Sequence, residues 1–192
     1  MKTAQHRLPW PLRTVPWIFT AALVACGGGS DDPDAGGGAP GGGSGSGPTC
    51  GLADFQANLL QRVNAARAAG AQCGARGAFA ATGPLQWHGV LVSAAARHSQ
   101  DMTSHNFFSH TGSDNSSVGQ RISDAGYGWH LAAENIAAGY PTVQAVMDGW
   151  MASDGHCANI MHPALRDFGV ACVPGSASNT YSSYWTMDLA AP

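Results

Sequence analysis

Apolar residues recur at helical spacing soon after Cys50. Phe55, Leu59, Val63 and Ala66 step by four and three and Gly70 follows as a stop, so residues 54–69 are predicted to form an amphipathic helix. A second stripe of Leu91, Ala95, His98, Met102 and His105 predicts a helix over 88–104. It puts both histidines on the apolar face, where the expected role is a core-edge histidine satisfied by a hydrogen bond. Residues 117–125 read as a short helix carrying Arg121, broken by Gly126-Tyr127-Gly128. Pro141 suits a first helical position. Val143, Val146, Met147, Trp150 and Met151 form the stripe of a helix that ends near Ser153, with Gly155 as its stop. His156 then falls just past a helix end. Near the C-terminus residues 168–173 and 184–189 read as strands, the latter alternating Trp185, Met187 and Leu189 against Tyr184, Thr186 and Asp188. Helices come first and strands cluster late, so the predicted class is α+β, an antiparallel sheet covered by helices.

The first 49 residues carry a different pattern. Lys2, Arg7 and Arg13 precede a short apolar run over 15–25, which reads as a secretory signal and is too short to span a bilayer comfortably. The run ends Leu23-Val24-Ala25-Cys26, which resembles the bacterial lipobox, so residues 1–25 are expected to be removed and Cys26 to be lipidated. One acyl chain binds membranes only marginally, at about 0.8 kcal/mol per buried methylene, so a multiply acylated cysteine is what makes such an anchor stable. Gly27, standing where aspartate would favour the inner membrane, points to the outer membrane of a Gram-negative envelope. Residues 26–49 comprise Cys26 and a stretch over 27–49 dominated by Gly, Ser, Pro, Asp and Ala that reads as a flexible linker, roughly 23 residues spanning about 25 to 30 Å. The folded domain is therefore expected over 50–192.

Cys50, Cys73, Cys157 and Cys172 remain of the 5 cysteines, and an even count in an exported domain implies two disulfides. Of three pairings, the local ones are expected, Cys50 with Cys73 and Cys157 with Cys172. A cysteine zinc site is disfavoured because no C-x-x-C pair occurs. Formal net charge is -3 with 9 Lys plus Arg, some of them in the signal, so no basic patch for nucleic acid can be assembled.

No H-E-x-x-H motif is present, and His105 and His110, five apart, would diverge on a continuous helix. Ser153 and His156 could be taken for a nucleophile and its base, but no strained elbow or orienting acid accompanies them, and helix capping is the better account of Ser153.

Several segments together resemble the bacterial branch of the CAP superfamily, named for cysteine-rich secretory proteins, antigen 5 and pathogenesis-related proteins and also called SCP domains. They are Val63-Asn64-Ala65-Ala66-Arg67, Leu85-Gln86-Trp87, Phe108-Ser109-His110, Arg121, Gly126-Tyr127, Ala133-Glu134-Asn135-Ile136-Ala137-Ala138-Gly139 and residues 150–161. The resemblance implies a three-layer α-β-α sandwich with a central antiparallel sheet. It also implies a cleft with two histidines and two acids that holds a divalent cation in some members. By motif His110 is the first histidine, Glu134 an acid and His156 the second histidine. Ser153 stands where many eukaryotic members carry the second acid, so the tetrad is incomplete. His110, Glu134 and His156 plus water would be a zinc shell, with Mg the alternative cation; no cofactor is required by the reading, and a hydrogen-bonded network of the same residues is its rival.

Three functions are consistent with this sequence. The first is an envelope-anchored module that binds a lipid, another envelope ligand or a partner in the His/Glu cleft. The second is a divalent-metal-assisted hydrolase acting on peptides or wall material, in which Glu134 is ligand or base. The third is a structural spacer.

Overall fold

The computed structural model describes residues 47–192. The signal segment, Cys26 and the linker up to residue 46 lie outside the described residues.

Four long elements follow the predicted periodicities closely. Helix α1 is Phe55–Ala69, α2 is Gly89–His105, α3 is Val118–Asp124 and α4 is Val143–Ala152. Ser117 and Thr142 cap α3 and α4, each accepting a backbone N–H three residues on, which satisfies an amide the first turn leaves orphaned. Short strands β1 (Ala71–Gln72) and β2 (Ala78–Phe79) flank a 3-10 turn at Gly74–Arg76 and pair with each other. The main sheet holds β3 (Gln86–Trp87), β4 (Leu131–Ala138), β5 (Asp167–Pro174) and β6 (Ser183–Ala191) in the order β3-β5-β6-β4. Its three long strands are antiparallel, as the resemblance implied, whereas the two-residue β3 runs parallel to β5.

Three sequence expectations need correcting. The helix expected to end near Ser153 does end there, but Gly155 is no stop: a new helix α5, Asp154–Met161, starts at once, so His156 sits in a first turn and not past a helix end. Ser153 occupies the N-cap position, yet its side chain makes no capping bond. Residues 131–138, assigned no strand from sequence, form β4 at the sheet's edge.

The disulfides also differ from the local pairing. Cys50 bonds Cys172 and Cys73 bonds Cys157, so each joins remote segments. The first ties the chain ahead of α1 to β5, where Cys50 N–H also donates to Cys172 O and Thr49 bridges Cys172. The second ties the 3-10 turn to α5. Loop closure entropy ranks pairings in an unfolded chain, but sheet register decides which sulfurs meet in the folded one. Two such bonds suit an oxidising compartment. No helix of the described residues is long and apolar enough to cross a membrane.

Strand β6 is central and buried throughout, so both of its faces are covered. Trp185, Met187 and Leu189 face the main apolar core with Phe55, Leu59 and Val63 of α1, Trp150 of α4 and Ile160 of α5. The opposite face meets α2 and α3. There Gly169 of β5 lets α2 lie directly on the sheet, since a Cβ would collide with the backbone at Leu91 and Val92. The residues that alternate with them on β6 are therefore buried too: Thr186 accepts a 2.8 Å bond from Ser99 of α2, and Asp188 is 0% exposed.

Candidate functional site

Glu134 sits midway along β4, where its side chain points into the α2 and α3 side of the sheet. Both of its oxygens are engaged. His110 Nδ1, from the loop between α2 and α3, donates to Oε1 at 2.7 Å, and Arg121 Nη2 of α3 donates to Oε2 at 2.6 Å. The same arginine clamps the loop, giving bonds to the carbonyls of Ser116 (2.8 Å) and His110 (3.1 Å). Arg121 and Glu134 form a buried, charge-assisted pair, their side chains 1% and 2% exposed, while the His110 side chain is 56% exposed at the mouth. With Nδ1 donating to the carboxylate, the lone pair of His110 belongs to Nε2.

Sequence reasoning identified Arg121 only as a motif residue and missed two further members of this network. His98 of α2 is fully buried, with Nε2 bonded to Ser109 O at 2.8 Å and 3.9 Å from Glu134 Oε1. That agrees with its expected role as a bonded core histidine, although Nδ1 has no partner among the described residues. His105, expected on the same face, is exposed instead and pairs with Asp101 one turn earlier, because the helix runs past its cover. Asp188 of β6 lies directly opposite Glu134 in the register, and neither of its oxygens accepts a hydrogen bond from any of the described residues.

Electrostatics separate the two carboxyls. Burial pushes Asp188 far above the ordinary aspartate range and the Glu134 charge pushes the same way, so Asp188 is a neutral acid able to donate to Glu134. Burial also raises Glu134, but the His110 hydrogen bond, the nearby Arg121 charge and the Arg121 hydrogen bond outweigh it, leaving Glu134 ionised below its usual value. Burial holds His98 below the ordinary imidazole range against the opposing pull of Glu134.

His156 reaches the cleft from the other layer. Its carbonyl accepts from Asn135 Nδ2 at 3.1 Å, and Asn159 Nδ2 bonds both Asn135 Oδ1 (2.9 Å) and Glu134 O (3.3 Å), so the Glu134-Asn135 dipeptide fixes α5 against β4. Arg67 of α1, wholly buried, donates to the carbonyls of Ile160 and His162 at 2.6 and 3.0 Å, a cation set at the C-terminal end of α5. Asp154 accepts from Ala75 N–H, and with Cys73–Cys157 this holds the 3-10 turn to the start of α5. Burial and then the His110 charge keep the His156 imidazole below its usual range.

The three predicted residues thus share one cavity of about 600 Å3, lined by His110, Glu134, His156, Arg76, Asn159 and His162 among others. Ser153 is not on its wall and lines a neighbouring groove. A smaller, more apolar hollow at the start of α1, about 460 Å3, lies away from this chemistry, with Asp54 its sole ionisable wall residue.

Geometry does not assemble the predicted ligand set of His110, Glu134 and His156. Among the described residues no group of three or more His, Cys, Asp or Glu side chains is placed to hold a metal ion. The physical reason is that Glu134 already faces a guanidinium and an imidazole N–H, which offset its charge and each engage one of its oxygens. The two histidines are what the cleft offers, with Glu134 as an orienting partner behind one of them.

The model of the CAP family, described as the cysteine-rich secretory protein family, matches residues 60–189. This chain belongs to the CAP family. It is 35% identical over 106 residues to the uncharacterized Bacillus subtilis protein YkwD, a match covering 55% of this chain and 39% of that protein. It is 31% identical over 86 residues to the uncharacterized B. subtilis membrane protein YlbC, covering 45% and 25%. The chain therefore matches well under half the length of these curated relatives. Among solved structures, an extracellular SCP-domain protein from Bacillus anthracis matches with a TM-score of 0.51 and 29% identity over 58% of this chain and 35% of that one. An outer surface protein of Borrelia burgdorferi matches with a TM-score of 0.50 and 16% identity, covering 57% and 77%, a likeness of fold. The mixed α+β CAP fold expected from the sequence is thus the fold found.

Proposed function

We propose that this CAP domain is a non-catalytic binding module that works outside the cytoplasm, taking an envelope ligand or partner in the His110, Glu134, His156 cleft. The observation that carries it is the engagement of Glu134: His110 holds one oxygen and the buried Arg121 guanidinium holds the other, which offsets its charge toward a metal and weakens it as a proton acceptor. Such a residue builds a rigid wall instead. Two disulfides and the extracellular relative from B. anthracis support the location. The lipobox-like Leu23-Val24-Ala25-Cys26 and the linker support anchoring through lipid, with the outer membrane favoured by Gly27.

The metal-assisted hydrolase has weaker support, because it needs the carboxylate that Arg121 neutralises. The discriminating experiment is lipid pull-down and crosslinking in envelopes with the full chain, against a His110→Ala/His156→Ala double variant. Retention of a defined species by the wild type and its loss in the variant is expected. Nothing retained above a scaffold control, or peptide or wall hydrolysis abolished by His156→Ala, overturns the reading.

A further inference from the structure

Two hollows meet at His156. One is the polar cleft; the other is a groove of about 300 Å3 walled by Phe108, Tyr140, Trp150 and Tyr181, with Ile136 and Ala138 of β4 beneath. Each wall is pinned. Trp150 Nε1 donates to Ile136 O, the carbonyl of Tyr140 accepts from Ser183 Oγ and Trp185 Nε1, and Tyr181 packs between Phe108 and Tyr184 with ring centroids 5.8 Å away on both sides. Gly149 of α4 shapes the groove as well, since a methyl group there would stand 2.5 Å from Tyr140 Oη. Despite this packing Phe108 and Tyr181 remain 44% and 38% exposed, so ring surface is presented to solvent along the groove.

The polar side is short of available negative charge. Arg76, His110, His156 and His162 line it, and its one carboxylate, Glu134, is neutralised by Arg121. Arg76 forms no ion pair among the described residues. In a chain of net charge -3 this is a local concentration of cationic and protonatable groups.

We infer that groove and cleft form one site for a small anion with a flat apolar body, the class of aryl-alkyl carboxylates. The ring lies against the aromatic walls and the carboxylate meets the His156 imidazole and the Arg76 guanidinium. This rests on the reading of the cleft as a binding site and names its ligand class. Four aromatic side chains favour a flat ring over a flexible chain, because ring faces and edges complement one another. Charge complementarity selects the anion. A peptide added as a strand is disfavoured: the Glu134 and Ile136 carbonyls at the outer edge of β4 are already taken by Asn159 and Trp150.

The test is titration of 3-phenylpropionate into the full chain, read by calorimetry and by tryptophan emission, since Trp150 lines the groove. Saturable binding is expected, with 3-phenylpropanamide about tenfold weaker for want of charge and hexanoate about fivefold weaker for want of a ring. His156→Gln and Tyr181→Ala each weaken binding by roughly five- to tenfold. Arg62→Ala, on the separate groove between α1 and α4, leaves it unchanged. Tyr181 lies in a loop, so its variant folds and keeps the test decisive even where His156→Gln does not. Equal affinity for acid and amide, unchanged binding in both groove variants, or no saturable binding overturns the assignment. Failure here with the envelope species still lost from the His110→Ala/His156→Ala variant would reject the ligand class and leave the binding-module reading standing.

Discussion

The two faces of the central sheet are held by different physics. Toward α1, α4 and α5 the sheet presents Trp185, Met187, Leu189 and Phe168 to a continuous hydrocarbon core, and both disulfides join this side. Toward α2 and α3 it presents Glu134, Thr186 and Asp188, which meet Arg121, His98 and Ser99. The first face responds to cavities and reduction, the second to pH and to loss of a charge partner. The cleft lies where the two meet at the edge of β4, one histidine from each side, so either kind of perturbation can be read there.

The sharpest way to break the charged face is to remove one ion. Glu134→Ala leaves the Arg121 guanidinium buried without its partner, which is expected to cost about 3–5 kcal/mol. Chemical denaturation at pH 7 measures it, and a loss below about 1 kcal/mol would show that solvent reaches the pair. The pH dependence follows from the sign of the shift. Glu134 is held below its unfolded value, so its contribution is complete above about pH 4.3 and is lost as pH falls through the folded-state value.

The apolar face should answer to covalent change. Reducing Cys50–Cys172, which spans 122 residues, or replacing both cysteines by alanine is expected to lower stability by about 2–5 kcal/mol. The loss should be nearly independent of pH between 5 and 8. A steep pH dependence of that loss would mean that the two faces are coupled through the sheet rather than separable.

What was legible in the sequence follows the same division. α1 and α4 were readable because each buries one stripe in hydrocarbon, as Phe55, Leu59 and Val63 do. α5 was hidden by Gly155, which resembles a stop yet sits harmlessly in a first turn with nothing near its missing Cβ. β4 was hidden because Ala132-Ala133-Glu134-Asn135-Ile136-Ala137-Ala138 has helix-compatible composition and no alternation, its strand state imposed by pairing with β6. His110, Glu134 and His156 were found through the family's motifs. Asp188 was not, since Thr-Met-Asp-Leu alternation reads as a half-exposed strand, and only the covering by α2 makes its carboxyl a buried acid.

That acid offers a smaller and oppositely signed test. Asp188 is neutral when folded and ionises when unfolded, so the folded state binds the extra proton and stability declines as pH rises above about 3.9. Asp188→Asn keeps the shape and supplies a permanent N–H donor toward Glu134, so it is expected to stabilise the protein at pH 7 by on the order of 1 kcal/mol. The gain should shrink as pH falls below about 3.9, where the unfolded aspartate is protonated as well. Destabilisation at pH 7 would mean that the Asp188 charge is retained in the fold.

The smallest expected effect tests the meeting of the two faces. The His156 imidazole is held below its usual range by burial and, second, by the charge of His110, while Arg76, Glu134 and His162 complete its charged surroundings. His110→Gln keeps an N–H donor for Glu134 but removes the titrating cation, so the midpoint of His156 should move upward. The ring resonances of His156 report it directly in a pH titration by NMR. His98→Gln serves as the control: His98 is neutral in its core, and its loss should flatten the decline in stability as pH falls below about 6.5 without bringing a new charge to the cleft. If His110→Gln leaves the His156 midpoint where it was, the imidazoles do not sense each other, and the cleft is two adjacent surfaces rather than one site.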